Sequence, residues 1–327
     1  LKVLYLSDIG EDELRILVKN LDEGIEVEAA GVSEREEIAG RAAEFDAVIG
    51  ARVGREFLEK ASNLKYFIIP FAGIPPQDME VLPEFPNITV LNSHFNAAFV
   101  AEHAWALLLA AVKRICPTHE KMRLGDWTPR YGHQWGGTLA GKTLLIIGYG
   151  SVGREVARIA RAFHMKVQGV KRTPAEAPEL DFIGTREDLP NLLPGADAIV
   201  VALPGSENTK SFIGEREFGL MKDGVFLVNV GRGNVIDEDA FYDALKSGKI
   251  GGAGIDTWWI YPRDRESRPN TFPSKHPLQE FDNLVFSPHR ASHVENRENN
   301  RMRDLADVLN SIMRGEPKNV VSLEEGY

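Results

Sequence analysis

Cysteine is nearly missing from this 327-residue chain, in which Cys116 stands alone. A single thiol excludes an intramolecular disulfide and any cysteine-rich zinc site, and it accords with a reducing compartment. Long apolar runs are missing too. The longest, Trp105 to Val112, falls well short of the ~20 residues that cross a bilayer. Leu1 to Leu6 lead into Glu11-Asp12-Glu13 rather than into a targeting segment, so a cytoplasmic protein with no membrane partner is expected. Basic charge is in deficit, with 38 Lys and Arg against 48 Asp and Glu and a formal net charge of -10. That balance repels nucleic acid at long range and favours a small-molecule partner. What is present is ordinary globular composition, 43% apolar and 26% charged, without low-complexity segments, at a length that predicts two domains.

Short apolar runs of strand length alternate with segments of helical period, the pattern of parallel sheets flanked by helices. One set of predicted strands comprises Val3–Ser7, Ala47–Gly50, Tyr66–Pro70 and Thr89–Asn92, with helices at Glu11–Leu21 and Arg35–Ala43. A second comprises Thr143–Gly148, Lys166–Val170, Ala198–Leu203, Phe226–Val230, Gly252–Asp256 and Leu284–Ser287, a complete doubly wound nucleotide-binding sheet. Phe99–Arg114 is an almost uniformly apolar helix, and Tyr261–Pro277 reads as a long loop. The helix predicted over Val294–Met313 follows the last strand of the second set and is expected to return to the first domain. The resulting fold class is α/β with two doubly wound parallel-sheet domains. Residues 1–98 and 290–327 form a discontinuous domain around 99–289.

Gly148-Tyr149-Gly150-Ser151-Val152-Gly153 follows the first strand of the second set and opens a helix. The glycines suit a tight turn, a backbone approach to pyrophosphate and close helix packing, while the helix amino terminus attracts the anion. The second strand then ends in Lys171-Arg172-Thr173, where an acid for the ribose of NAD is expected. Cations there suit a 2'-phosphate, so NADP is favoured and NAD is kept as the alternative.

Polar residues end three later strands, in Val228-Asn229-Val230-Gly231-Arg232-Gly233, Gly254-Ile255-Asp256-Thr257 and Phe286-Ser287-Pro288-His289. With the glycine fingerprint, Asn96, Val100-Ala101-Glu102-His103, Leu139-Ala140-Gly141-Lys142 and Leu203-Pro204, they make the chain resemble the D-isomer-specific 2-hydroxyacid dehydrogenases over essentially its whole length. The resemblance implies a Rossmann-type cofactor domain and a discontinuous flavodoxin-like substrate domain. It implies that Arg232 holds a small carboxylate substrate, that His289 is the acid/base and that Asp256 orients the nicotinamide carboxamide. Phe71-Ala72-Gly73-Ile74, Arg52 and Asn96 would meet the substrate from the first domain, and a homodimer is implied as well.

The chain departs from that family where a Glu five residues beyond the Asp pairs with the catalytic His, because Tyr261 stands there. Tyr261 is therefore a candidate catalytic position, and without the carboxylate His289 should stay neutral over more of the pH range. Trp258-Trp259 and Arg290 also depart, the tryptophans being most simply packing. His289 and His293 have a metal-ligand spacing but no third ligand, so no metal is expected. Two alternatives stay open: oxidation of another small anion such as formate, and a nucleotide-sensing protein with weak turnover.

Overall fold

The computed structural model describes residues 1–173 and 176–324. The chain divides into two compact units, Leu1–Asn96 with the segment that begins at Val294, and Ala97–His293.

In the first unit β1 (Lys2–Leu6), β2 (Glu26–Ala30), β3 (Ala47–Gly50), β4 (Tyr66–Ile69) and β5 (Thr89–Asn92) are all parallel, in the flavodoxin-like order β2-β1-β3-β4-β5. β1, β3 and β4 are apolar runs because both faces of the sheet are covered there. Val3 and Tyr5 point to one face with Ile49 and Ile68, under Met302, Leu305 and Leu309 of the Arg297–Met313 helix. Leu4 and Leu6 point to the other, packing with Val48, Phe67, Phe45 and Phe57. β2 is absent from the sequence reading. Its residues Glu-Val-Glu-Ala-Ala form no apolar run, and the alternation Glu26-Val27-Glu28-Ala29 is short and holds one large apolar side chain. An edge strand paired only to β1 and half-exposed along its length needs no more.

The second unit holds β6 (Thr143–Ile147), β7 (Lys166–Val170), β8 (Phe182–Gly184), β9 (Ala198–Val201), β10 (Val225–Asn229), β11 (Ile250–Ile255) and β12 (Leu284–Phe286). Their order is β12-β11-β10-β9-β6-β7-β8, parallel throughout, with the topological switch between β6 and β9. Six strands are expected from the sequence and the sheet has seven among the described residues, because β8 offers only Phe182 and Ile183 between Asp181 and Gly184, too little to stand out as a run. The Ala97–Val112 helix lies on one face, buried through Val100, Ala104, Leu107 and Leu108. It approaches β11 closely at Gly254, where a Cβ would meet that of Leu107 at 2.6 Å. Among the described residues no helix is long and apolar enough to cross a membrane.

Candidate active site

The glycine fingerprint lies at the carboxyl edge of β6, at the switch point. Gly148 has φ +103°, and a Cβ there would lie 2.8 Å from the carbonyl of Ala202, so only glycine lets the β6 and β9 ends meet. Gly153 packs its Cα against the turn, where a Cβ would lie 2.5 Å from the Gly148 carbonyl oxygen. Gly150 differs from both, since a Cβ would find nothing within 4 Å. The space in front of it opens onto the start of the Ser151–Ala162 helix. Arg154 N–H is the first to bond back, to Gly150 at 3.0 Å, so the amides of Ser151, Val152 and Gly153 head the helix without intrahelical acceptors. An open space faced by helix-terminal amides fits a pyrophosphate. Tyr149 takes no part in that cradle. Its ring is buried and its hydroxyl donates to Glu179, which pushes the phenol pKa further up after burial has raised it.

The other sequence-predicted cofactor residues lie along the same edge. Val230 N–H bonds to Val201 at 3.0 Å, and Gly231 permits a backbone approach to Leu203 that a Cβ would block. Pro204 accepts from the Thr209 hydroxyl at 2.7 Å. Lys171 follows β7 half-buried, with Arg172 and Thr173 exposed beyond it.

Arg232 sits in a turn stapled by Asn229, a buried side chain that accepts from Gly231 N–H at 3.0 Å and donates to the Arg232 carbonyl at 3.0 Å. The Arg232 side chain itself is exposed, its guanidinium donating to the Gly231 carbonyl at 2.8 Å. His289 follows β12 with φ +53°, a left-handed conformation costly for a non-glycine residue. Asp256 holds it there. Its buried carboxylate accepts from Arg290 N–H at 2.9 Å, Ala291 N–H at 3.1 Å and the Ser287 hydroxyl, so the side chain pins the loop on both sides of His289. Ser287 is in turn 2.8 Å from His103 Nε2. Thr257 Oγ1, buried beside Asp256, has no hydrogen-bond partner among the described residues. Tyr261 Oη lies 2.8 Å from His289 Nδ1, so the position usually held by Glu touches the histidine through a phenol. Protein atoms around the ring desolvate His289 and lower its pKa; Arg232 and His293 act in the same direction and Asp256 opposes them.

In the first unit, Arg52 follows β3 with φ +54° and its side chain exposed. Its N–H donates to the buried Asp78 at 2.8 Å and its carbonyl accepts from Arg35 at 2.8 Å. Burial raises the pKa of Asp78. Ala72, Gly73 and Ile74 are half-buried in the turn after β4, where the Asn92 amide donates to the Ala72 carbonyl at 2.8 Å. Asn96 lies in the turn that ends this unit.

Asn229, Ser287 and His103 brace the loops that carry Arg232 and His289, and the sequence reading did not single them out. Asn229 and Ser287 stand inside quoted strand-end motifs, where a polar residue in an apolar strand was the available signal. His103 is 184 residues from Ser287 and nothing in its spacing reveals the contact. Among the described residues no cluster of His, Cys, Asp and Glu is placed to hold a metal ion.

Comparison with known proteins gives the same reading. The chain is 32% identical to a D-3-phosphoglycerate dehydrogenase of Methanocaldococcus jannaschii, covering 98% of this chain but 59% of that protein. It therefore spans little more than half the length of that relative. It is 34% identical to a hydroxypyruvate reductase of Thermotoga maritima, over 88% of this chain and 90% of the relative. An acyclic imino acid reductase solved with NADPH and D-Arg superposes with a TM-score of 0.73 at 27% identity, covering 98% of this chain and all of that one. The profile of the D-isomer specific 2-hydroxyacid dehydrogenase NAD-binding domain matches residues 105–291, and the chain belongs to the D-isomer-specific 2-hydroxyacid dehydrogenase family.

Proposed function

We propose that this chain is an NAD(P)-dependent oxidoreductase interconverting a small 2-keto acid and the D-2-hydroxy acid. The observation that carries this reading is the meeting of Arg232, His289 and Tyr261 at the sheet edge that also bears the open glycine cradle. Arg232 offers the planar, permanently charged fork that a carboxylate fits. His289 gives a proton to the carbonyl oxygen in reduction and takes one from the hydroxyl in oxidation. A nicotinamide cofactor, when bound, supplies or accepts the hydride at C4. The amides after Gly150 would hold its pyrophosphate, with Leu203, Pro204, Val230 and Gly231 walling the crevice. Asp256 serves chiefly by holding the His289 loop.

NADP is the preferred cofactor in this reading, because Lys171 and Arg172 occupy the place of the ribose-binding acid. The bound NADPH of the imino acid reductase is in keeping with that choice. The first unit is the substrate domain, with Arg52, Ala72, Gly73, Ile74 and Asn96 as its candidate contacts to the acid. A homodimer is proposed as well, supported by apolar side chains exposed along one stretch, Ile115, Leu124, Trp127, Tyr131 and Trp135.

Consumption of NADPH and NADH with glyoxylate, hydroxypyruvate, phenylpyruvate and 2-ketoisocaproate tests the reading. Turnover of at least one acid, faster with NADPH, is expected. NADPH binding without oxidation by any acid would instead mark a nucleotide-binding protein, and formate oxidation with no keto acid reduced would mark the formate-like alternative.

A further inference from the structure

We infer that Tyr261, gripped by the Trp258–Trp259 turn, is the positioning partner of His289: it holds the imidazole through Nδ1, leaves Nε2 for the substrate, and contributes no charge. The inference rests on the proposed acid/base role of His289.

The grip is built from the residues that depart from the family pattern. Trp258 is 6% exposed, stacks on Phe286 with centroids 5.1 Å apart, and donates its indole N–H to the Ser287 carbonyl at 2.7 Å, two residues before His289. Trp259 donates its indole N–H to the Ile236 carbonyl at 2.8 Å and packs on Phe241. Ile260 N–H bonds to the Pro273 carbonyl at 3.1 Å. Gly233, next to Arg232, has its Cα against the Trp258 carbonyl, an approach that any side chain would block. The turn is thus tied to the Arg232 loop and to the strand end that carries His289, and Tyr261 comes off it with its hydroxyl on Nδ1.

Hydrogen-bond inventory then decides what the phenol can do. A hydroxyl has one proton and two lone pairs. Trp258 N–H, 3.2 Å away, takes one lone pair of Tyr261, which leaves the proton and one lone pair for His289. Toward a neutral ring Tyr261 donates to Nδ1, and the ring proton then stays on Nε2. Toward an imidazolium it accepts from Nδ1–H. A carboxylate could only accept, and would hold the ring proton on Nδ1.

The charged and titratable groups facing His289 are Arg232, Asp256 and His293. Tyr261 is partly exposed, and partial desolvation raises its phenol pKa, so the hydroxyl keeps its proton. Arg232 offsets the single carboxylate of Asp256, and the phenol adds no charge of its own. Reduction draws on the imidazolium, so its rate falls as pH rises past the lowered His289 pKa; oxidation needs a neutral ring with Nε2 free, so the phenol must first turn to accept from Nδ1–H before Nε2 can take the hydroxyl proton.

The test is a 15N imidazole titration of the full-length chain, with His289→Asn to assign the signal, beside kcat and KM against pH. In the wild type Nδ1 should be unprotonated and Nε2 protonated once the ring is neutral. Tyr261→Glu should move the proton to Nδ1 and shift both the titration and the reduction limb upward by about one pH unit or more. Tyr261→Phe should lower kcat by about tenfold with little change in KM, and Glu should restore part of that loss. A wild-type neutral ring protonated on Nδ1, or a Tyr261→Glu variant that melts like the wild type yet titrates unchanged, would overturn the inference. If the NMR result is as expected while no keto acid is turned over, the proposed function fails and the Tyr261–His289 pairing stands.

Discussion

A left-handed histidine is an expensive way to present an imidazole, and the surroundings of His289 show how the cost is met. Asp256 accepts the next two backbone N–H groups and the Ser287 hydroxyl, which a buried carboxylate does at a gain that offsets the backbone strain. Ser287→Ala leaves Asp256 short of one donor and removes the hydroxyl facing His103, so stability should drop by about 1–3 kcal/mol in a urea unfolding series, with the loss of a buried partner of Asp256 as the cause. Arg232 carries the opposite expectation. Its side chain is exposed and its guanidinium bonds only to the Gly231 carbonyl of its own turn, so Arg232→Lys should leave the melting temperature nearly unchanged while kcat/KM for the keto acid falls on the order of 100-fold, because a point charge replaces a fork. An unchanged kcat/KM would remove Arg232 from the site. Arg232, Asp256 and His289 stand out in the sequence because a polar side chain there interrupts an apolar strand end. His103 does not, because its partner depends on how a helix lies on the sheet.

At the scale of elements, the glycine loop separates packing from binding. Gly153 is hemmed in by the Gly148 carbonyl and the Ile146 side chain, whereas Gly150 faces open space with an ordinary φ of -100°. Gly153→Ala should therefore destabilise the fold by about 1–3 kcal/mol. Gly150→Ala should keep the melting temperature of the free protein but weaken dinucleotide binding by tenfold or more, as read by NADPH fluorescence titration. Equal affinity for both forms would place the pyrophosphate elsewhere. Strands buried on both faces, β1, β3, β4, β6, β9 and β10, were legible as apolar runs. The edge strands β2 and β8 were not, since β2 is half-exposed with charged Glu26 and Glu28 and β8 has only Phe182 and Ile183 as apolar residues, and both owe their strand conformation to the neighbour they pair with.

For the whole molecule, the discontinuous first unit has a testable cost. Met302, Leu305, Ala306 and Leu309 cover the face formed by Val3, Tyr5, Ile49, Ile68 and Leu91, and they come from the far end of the chain. A fragment ending at Asn96 would expose that face. It should give no cooperative melt and should aggregate, whereas residues 97–293, which hold both faces of their sheet within one stretch, should melt cooperatively. A cooperative melt of the shorter fragment alone would show that the returning helix is dispensable. The net charge of -10 belongs to this scale as well, opposing polyanions at long range, with cations at the Lys171-Arg172 pair, Arg232 and Arg52.

By itself the sequence determined the α/β class, the glycine cradle and the strand-end residues, because these depend on hydrophobic period, backbone freedom at glycine and side-chain chemistry at short range. Only the tertiary structure decided what touches what. It brought Tyr261 from beyond β11 onto a histidine beyond β12, turned Asp256 inward to hold that histidine's loop, and set His103 against Ser287. Those contacts join residues 28, 34 and 184 positions apart, where strand order and helix packing, rather than local propensity, determine the neighbour.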